Sequence, residues 1–185
     1  NYSAIGLVES LERHNYDFSI RDRRLSFINN WVVRDLIDFF TLAYDPANLP
    51  AFSRIFYKMK GYISRAQIDY LSSKGPQENV FQALLKAPGT RDYQIDYLEE
   101  LEGLFHTISR RNVSRGIQII LHQLAYDSYI EDFCHRFGRS LAQARYYLET
   151  LGNMGKDFTH PNLLWGRLKY IDDLIHAGSA GNNPI

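Results

Sequence analysis

The stretch Lys58-Met59-Lys60-Gly61-Tyr62-Ile63-Ser64-Arg65 sets three cations around one glycine, where one apolar helical run ends and the next begins. Such a turn has phosphate-binding chemistry open to it. A helix N-terminus presents backbone N–H groups and a partial positive charge. Glycine lets the backbone come close, and lysine or arginine supplies counter-charge. Lys58, Lys60, Gly61, Tyr62, Ser64 and Arg65 are therefore the candidate nucleic-acid contacts. Lys60 and Arg65 would give charge, Gly61 clearance, and Tyr62 and Ser64 packing or a hydrogen bond. A helix–turn–helix of this kind grips a duplex backbone without reading its bases. On spacing alone, a tight turn with solvated lysines is the simpler reading. Three further basic clusters are Arg21/Arg23/Arg24, Arg110/Arg111/Arg115 and Arg136/Arg139.

Other chemistry is poorly provided for. Cys134 and His135 are neighbours, so on a helix their side chains point about 100° apart. No His-x3-His or Cys-x2-Cys pair accompanies them, which argues against a metal site. Cys134 reads as a small core residue. Acidic residues gather at Glu99, Glu100 and Glu102 and at Asp172-Asp173. Paired acids can do acid–base work, but on long amphipathic helices they read first as the solvated face. Neither a Gly-x4-Gly-Lys-Ser/Thr phosphate loop nor a Gly-x-Gly-x2-Gly turn occurs. ATP hydrolysis is not expected of this sequence alone.

The elements that must position these groups are helical. Ala4, Leu7, Val8 and Leu11 fall at helical spacing behind Ser3, predicting a helix over 3–14. Asp17-Phe18-Ser19-Ile20 alternates like a short strand. Val33, Leu36, Ile37 and Phe40 form a stripe behind a possible Asn30 cap, stopped by Asp45-Pro46. A second helix is expected from about 47 to 59, and a third from near Ser64. Lys74-Gly75-Pro76 and Ala87-Pro88-Gly89 are loops. Longer helices follow, with stripes Ile95/Leu98/Leu101/Phe105/Ile108, Ile117/Ile120/Leu121/Leu124, Leu141/Ala144/Leu148/Leu151 and Leu164/Leu168/Ile171/Ile175. Residues 178–185, rich in glycine and asparagine, read as a flexible tail.

Bulk properties bound the partners. Lysine plus arginine equals aspartate plus glutamate at 21 each, so no global charge draws the chain to nucleic acid and any anion binding must be local. The single cysteine excludes an internal disulfide and fits a reducing cytoplasm. No apolar run approaches the roughly 20 residues of a membrane helix. The 13 tyrosines suit interfaces, since each pairs an apolar ring with a polar tip.

Several short motifs, in order along the chain, carry a resemblance. Arg34-Asp35, Leu42-Ala43, Asp45-Pro46, Ala51-Phe52 with Arg54-Ile55, and Lys60-Gly61 resemble the UvrD/PcrA/Rep-type superfamily 1 DNA helicases. There a Lys-Asp is followed by a Leu-rich turn, Asn-Pro, Ala-Phe-x-Arg-Ile and a Gly-Ile-Gly turn. Asn1-Tyr2-Ser3-Ala4, Asp17-Phe18-Ser19-Ile20 and Phe27 look like the tail of helicase motif four and the strand after it. Arg145-Tyr146-Tyr147-Leu148-Glu149-Thr150-Leu151 resembles a later family pattern of Arg, Glu-Asn-Leu and Glu-Leu. Two positions depart from it. Ile63 stands where the family turn has its second glycine, and Ala4 where an arginine is common.

The resemblance implies a mainly α fold: an irregular helical domain of 2B type, with a short α/β remnant of a RecA-like motor subdomain at the N-terminus. Residues 1–33 would be part of motor subdomain 2A, 34–177 the 2B insertion, and 178–185 the tail. The implied function is a DNA-contacting, regulatory part of an ATP-dependent 3'–5' helicase. Duplex or forked DNA, the remaining helicase subdomains and repair or replication proteins would be its partners. ATP and Mg2+ would serve the full-length enzyme, with no cofactor in these residues. A helical protein–protein interaction module without DNA binding is the alternative; a free-standing helical enzyme using Glu149, Asp172 and Asp173 is a further rival.

Overall fold

The computed structural model describes residues 4–14, 16, 27–75 and 78–177, and no strand occurs among them. The chain is mainly helical. The expected strand at 17–20, the cluster Arg21/Arg23/Arg24, the Ser3 cap and the 178–185 tail lie outside the described residues.

Helix α1 spans Ala4–Arg13 and α2 Trp31–Tyr44. The Asn30 side chain caps α2 by accepting from Val32 N at 2.9 Å, which satisfies one of the unpaired first-turn donors. Asp45 ends the helix in a non-helical conformation before Pro46. Val33, Leu36, Phe39 and Phe40 are all buried, each such side chain contributing about 1.5–3 kcal/mol through burial. This makes α2 the central helix, packed on its neighbours α3, α6 and α9.

The helix expected over about 47–59 is two elements. Helix α3 covers only Leu49–Ile55, and a 3-10 turn follows at Phe56–Lys58. Asn48 fixes the later start, its side chain accepting from Ala51 N at 3.0 Å, with Pro50 in the first turn. Helix α4 spans Arg65–Lys74, α5 Val80–Leu85 and α6 Asp92–Ser109. Along α6 the buried face is Gln94, Leu98, Leu101, Phe105 and Ile108, and Ile95 rolls outward. Helix α7 (Val113–Gln118) runs into a π turn at Ile119–Gln123, closed by Leu124 N donating to Ile119 O at 3.1 Å.

Helix α8 (Tyr126–Phe137) follows Ala125, a non-glycine residue in left-handed backbone (φ 61°). Helices α9 (Leu141–Met154) and α10 (Pro161–Ala177) complete the fold. Val8 and Phe27 share one core with the later helices. Helix α1 is tied to α10 by Glu9 and Glu12, both paired with Arg167, and Arg13 reaches Asp157 at 2.7 Å. No helix among the described residues is long and apolar enough to cross a membrane.

Candidate nucleic-acid interface

The turn between the 3-10 segment and α4 is held from two sides. Lys60 N donates to Leu124 O at 3.0 Å, and Gln94 Nε2 donates to Tyr62 O at 2.8 Å. Gly61 is buried with φ 133°, and a Cβ there would lie 2.7 Å from Cδ1 of Leu101. Tyr62 follows with φ 54°. A bulky residue in left-handed backbone costs free energy and persists only where its surroundings enforce it. Here the reward is exposure: the Tyr62 ring is 68% accessible, standing edge-on to Tyr93 and Tyr97 of α6.

Ser64 caps α4 in a capping box. Its hydroxyl accepts from Gln67 N at 3.3 Å while the Gln67 side chain accepts from Ser64 N at 2.9 Å. Gln67 is further bonded to Thr90, which reaches Leu84 O. Ser64 thus orients the start of α4 rather than standing loose on the surface.

The three cations differ in availability. Lys58 turns inward, with Nζ 2.6 Å from Oδ1 of Asp35 and both side chains nearly inaccessible. Tyr126 donates to the other oxygen of Asp35 at 2.8 Å. Burial pushes the Asp35 carboxyl above its usual value, while the Lys58 bond and charge and the Tyr126 bond act against that shift. Burial, together with the Asp35 charge, also drives the Tyr126 phenol well above its ordinary value. Lys60 and Arg65 face outward, each with a carboxylate beside it: Glu100 at 2.6 Å and Asp69 at 3.2 Å. Exposed pairs of this kind are weak, so a stronger anion can displace the carboxylate.

The sequence reading missed a row of rings. Tyr126, Tyr129, Phe133 and Phe137 fall along one side of α8, with Tyr129 and Phe133 stacked at 5.7 Å and Phe133 and Phe137 4.8 Å apart. Trp31 of α2 meets Phe133 at 4.9 Å, and Tyr57 meets Tyr129 at 6.0 Å. The i, i+3, i+7, i+11 spacing on α8 was available as a signal; the approach of Trp31 and Tyr57 was not. Arg110, Arg111, Arg115, Arg136 and Arg139 are all exposed.

The candidate acids do not form a site together. Asp172 is buried and accepts from Phe27 N at 3.0 Å, pinning the entry to α2, whereas Asp173 and Glu149 are exposed. Among the described residues no group of three or more His, Cys, Asp or Glu is placed to hold a metal ion. Cys134 is buried, and burial raises its thiol pKa, opposite to what a nucleophile needs. No family model, curated protein or solved structure matches the chain.

Proposed function

We propose that the chain is a 2B-type helical subdomain, with a piece of a RecA-like 2A motor subdomain at its N-terminus, from an ATP-dependent superfamily 1 DNA helicase of UvrD/PcrA/Rep type. Its role is to hold duplex DNA near the fork and to regulate unwinding. ATP and Mg2+ belong to motor segments of the full-length enzyme.

The observation that carries this reading is the turn at 60–65. It combines a glycine packed too tightly for a Cβ, a strained and exposed tyrosine, and a capped helix start flanked by Lys60 and Arg65. Backbone strain kept on a surface points to function more than to stability. Lys60, Tyr62 and Arg65 are the groups that would meet a phosphate backbone, with buried Gly61 letting the turn close on Leu101, Ser64 holding α4 in place and Lys58 supporting the turn from within. On α1 the exposed Leu7, at 57% accessibility, is in keeping with a helix that packs against more of a motor layer.

The test is fluorescence anisotropy of the chain with a labelled forked duplex over a salt series. Duplex binding that weakens as salt rises, and that falls with a flatter salt slope in Lys60→Ala, supports the reading. Wild-type binding by Lys60→Ala in the complete helicase rules the contact out.

A second reading draws on the acidic side of the same face. Asp92, Asp96, Glu99 and Glu100 are exposed along α6 beside Tyr93, and both outward cations of the turn already have carboxylate partners. The exposed rings of Tyr62 and Tyr93 beside these acids favour a protein partner held by apolar contact, and salt-insensitive binding to a protein, with no affinity for DNA, would support it.

A further inference from the structure

We propose that the aromatic groove between α2, the 3-10 turn after α3, and α8 binds single-stranded nucleic acid, taking unpaired bases on its rings and phosphates on its arginine rim. The groove consists of two cavities of about 470 Å³ each that share Tyr57 as a common wall. Trp31 bridges them from the other side through its contact with Phe133. Tyr57 and Phe137, at its margins, are 56% and 60% accessible, and one face of Tyr57 already carries the Lys58 ammonium, 5.3 Å from the ring centre.

Charge is sorted by depth. The carboxylates of Asp35 and Asp38 lie at the bottom, 8% and 12% accessible, each already held by Lys58 or Arg54. The guanidinium groups of Arg34, Arg54 and Arg136 occupy the exposed rim. Arg136 has no carboxylate partner among the described residues, and Asp132 is the one exposed acid lining the groove. With Arg54 already paired to Asp38, a ligand entering from outside meets Arg34 and Arg136 against Asp132, then flat rings.

The ring chemistry decides the occupant. A partner helix lays a continuous apolar face into a hydrophobic groove, and a proline-rich segment docks on rings. Here Ile37 is the one aliphatic side chain lining either cavity, and the arginine rim attracts a negative charge that neither peptide needs. Aromatic faces interleaved with cations suit unpaired bases, because every base has a π-face and stacking on a ring does not depend on sequence. Guanidinium groups donate paired hydrogen bonds to phosphate oxygens. A duplex hides its base faces, so the ligand is single-stranded. The site is separate from the duplex contact at Lys60 and stands or falls without it.

The test uses the whole 185-residue chain and fluorescein-labelled dT12 at low and rising salt, with unfolding curves as a check on each variant. Salt-sensitive binding is expected. Phe137→Ala and Tyr57→Ala, both at exposed positions, weaken it roughly tenfold or more with unchanged melting. Arg136→Gln lowers the salt slope by about 0.7, the loss of one phosphate contact on a single strand. Lys60→Ala, outside the groove, leaves dT12 binding intact even where it reduces duplex binding. No dT12 binding at low salt overturns the proposal. So does wild-type affinity in both ring variants, or capture of a proline-rich peptide in place of dT12.

Discussion

Nζ of Lys58 sits 2.6 Å from Oδ1 of Asp35, an ion pair closed off beneath the surface turn that it precedes by two residues. Asp35 gains its second bond from Tyr126, 91 residues further on, so one carboxylate joins α2, the 3-10 turn and α8. Removing one member of such a pair leaves a buried charge without compensation.

Lys58→Met is therefore expected to lower stability by about 3–5 kcal/mol. The loss will depend on pH. Burial already raises Asp35 in the folded state, so its contribution favours folding below the ordinary carboxyl value of 3.8 and is lost as pH rises through the folded value. Without the ammonium, the folded value rises further. Urea unfolding of variant and wild type over a pH series rising from the ordinary carboxyl value of 3.8 should show the difference smallest at the acid end. A difference that is flat, or that grows in acid, would contradict this account of the pair.

Gly61→Ala meets both a left-handed backbone and the Leu101 methyl group at 2.7 Å. A loss of about 1–3 kcal/mol is expected. Pairing it with Leu101→Ala relieves the clash but not the backbone strain, so coupling between the two substitutions should be favourable and incomplete. Additive losses in a double-mutant cycle would show that Leu101 is not the obstacle.

Glu100→Gln leaves Lys60 without its carboxylate. Because the pair is exposed, thermal stability should change by about 1 kcal/mol or less. Duplex affinity should rise, the opposite of the Lys60→Ala effect. Loss of affinity in Glu100→Gln would mean that the carboxylate itself helps to hold the DNA.

Gly116→Ala would place its Cβ 2.7 Å from Cε1 of Phe40, a fully buried ring on the central helix. About 1–3 kcal/mol of destabilisation is expected from overpacking. Chemical denaturation would reveal it as a lower midpoint at an unchanged slope.

Local signals were the readable ones. Asn30, the Asp45-Pro46 stop, Ser64 before α4 and the buried positions Leu98, Leu101, Phe105 and Ile108 all rest on interactions within a few residues, and each stands in the structure as the sequence implied. The six residues of the candidate contact stand out by type and spacing, which carry no information on long-range partners. Lys58 reads as an outward cation because Asp35 is 23 residues away, and Glu100, beside Lys60, is 40 residues away. Ile95 and Leu7 fit their helical stripes yet lie exposed, since periodicity identifies an apolar face but not which neighbours cover it. The clustering of rings around Phe133 required the fold.

The π turn after α7 leads into the anchor of the surface turn. A π turn holds one residue more than the α turn it replaces, and five residues wound this way turn the helix about as far as four in α winding. The surplus residue is absorbed within 119–123, so Leu124 keeps the angle at which its carbonyl accepts from the amide of Lys60. The interior helix thus works as a slack link: it takes up one residue of length without re-aiming the anchor beneath Tyr62.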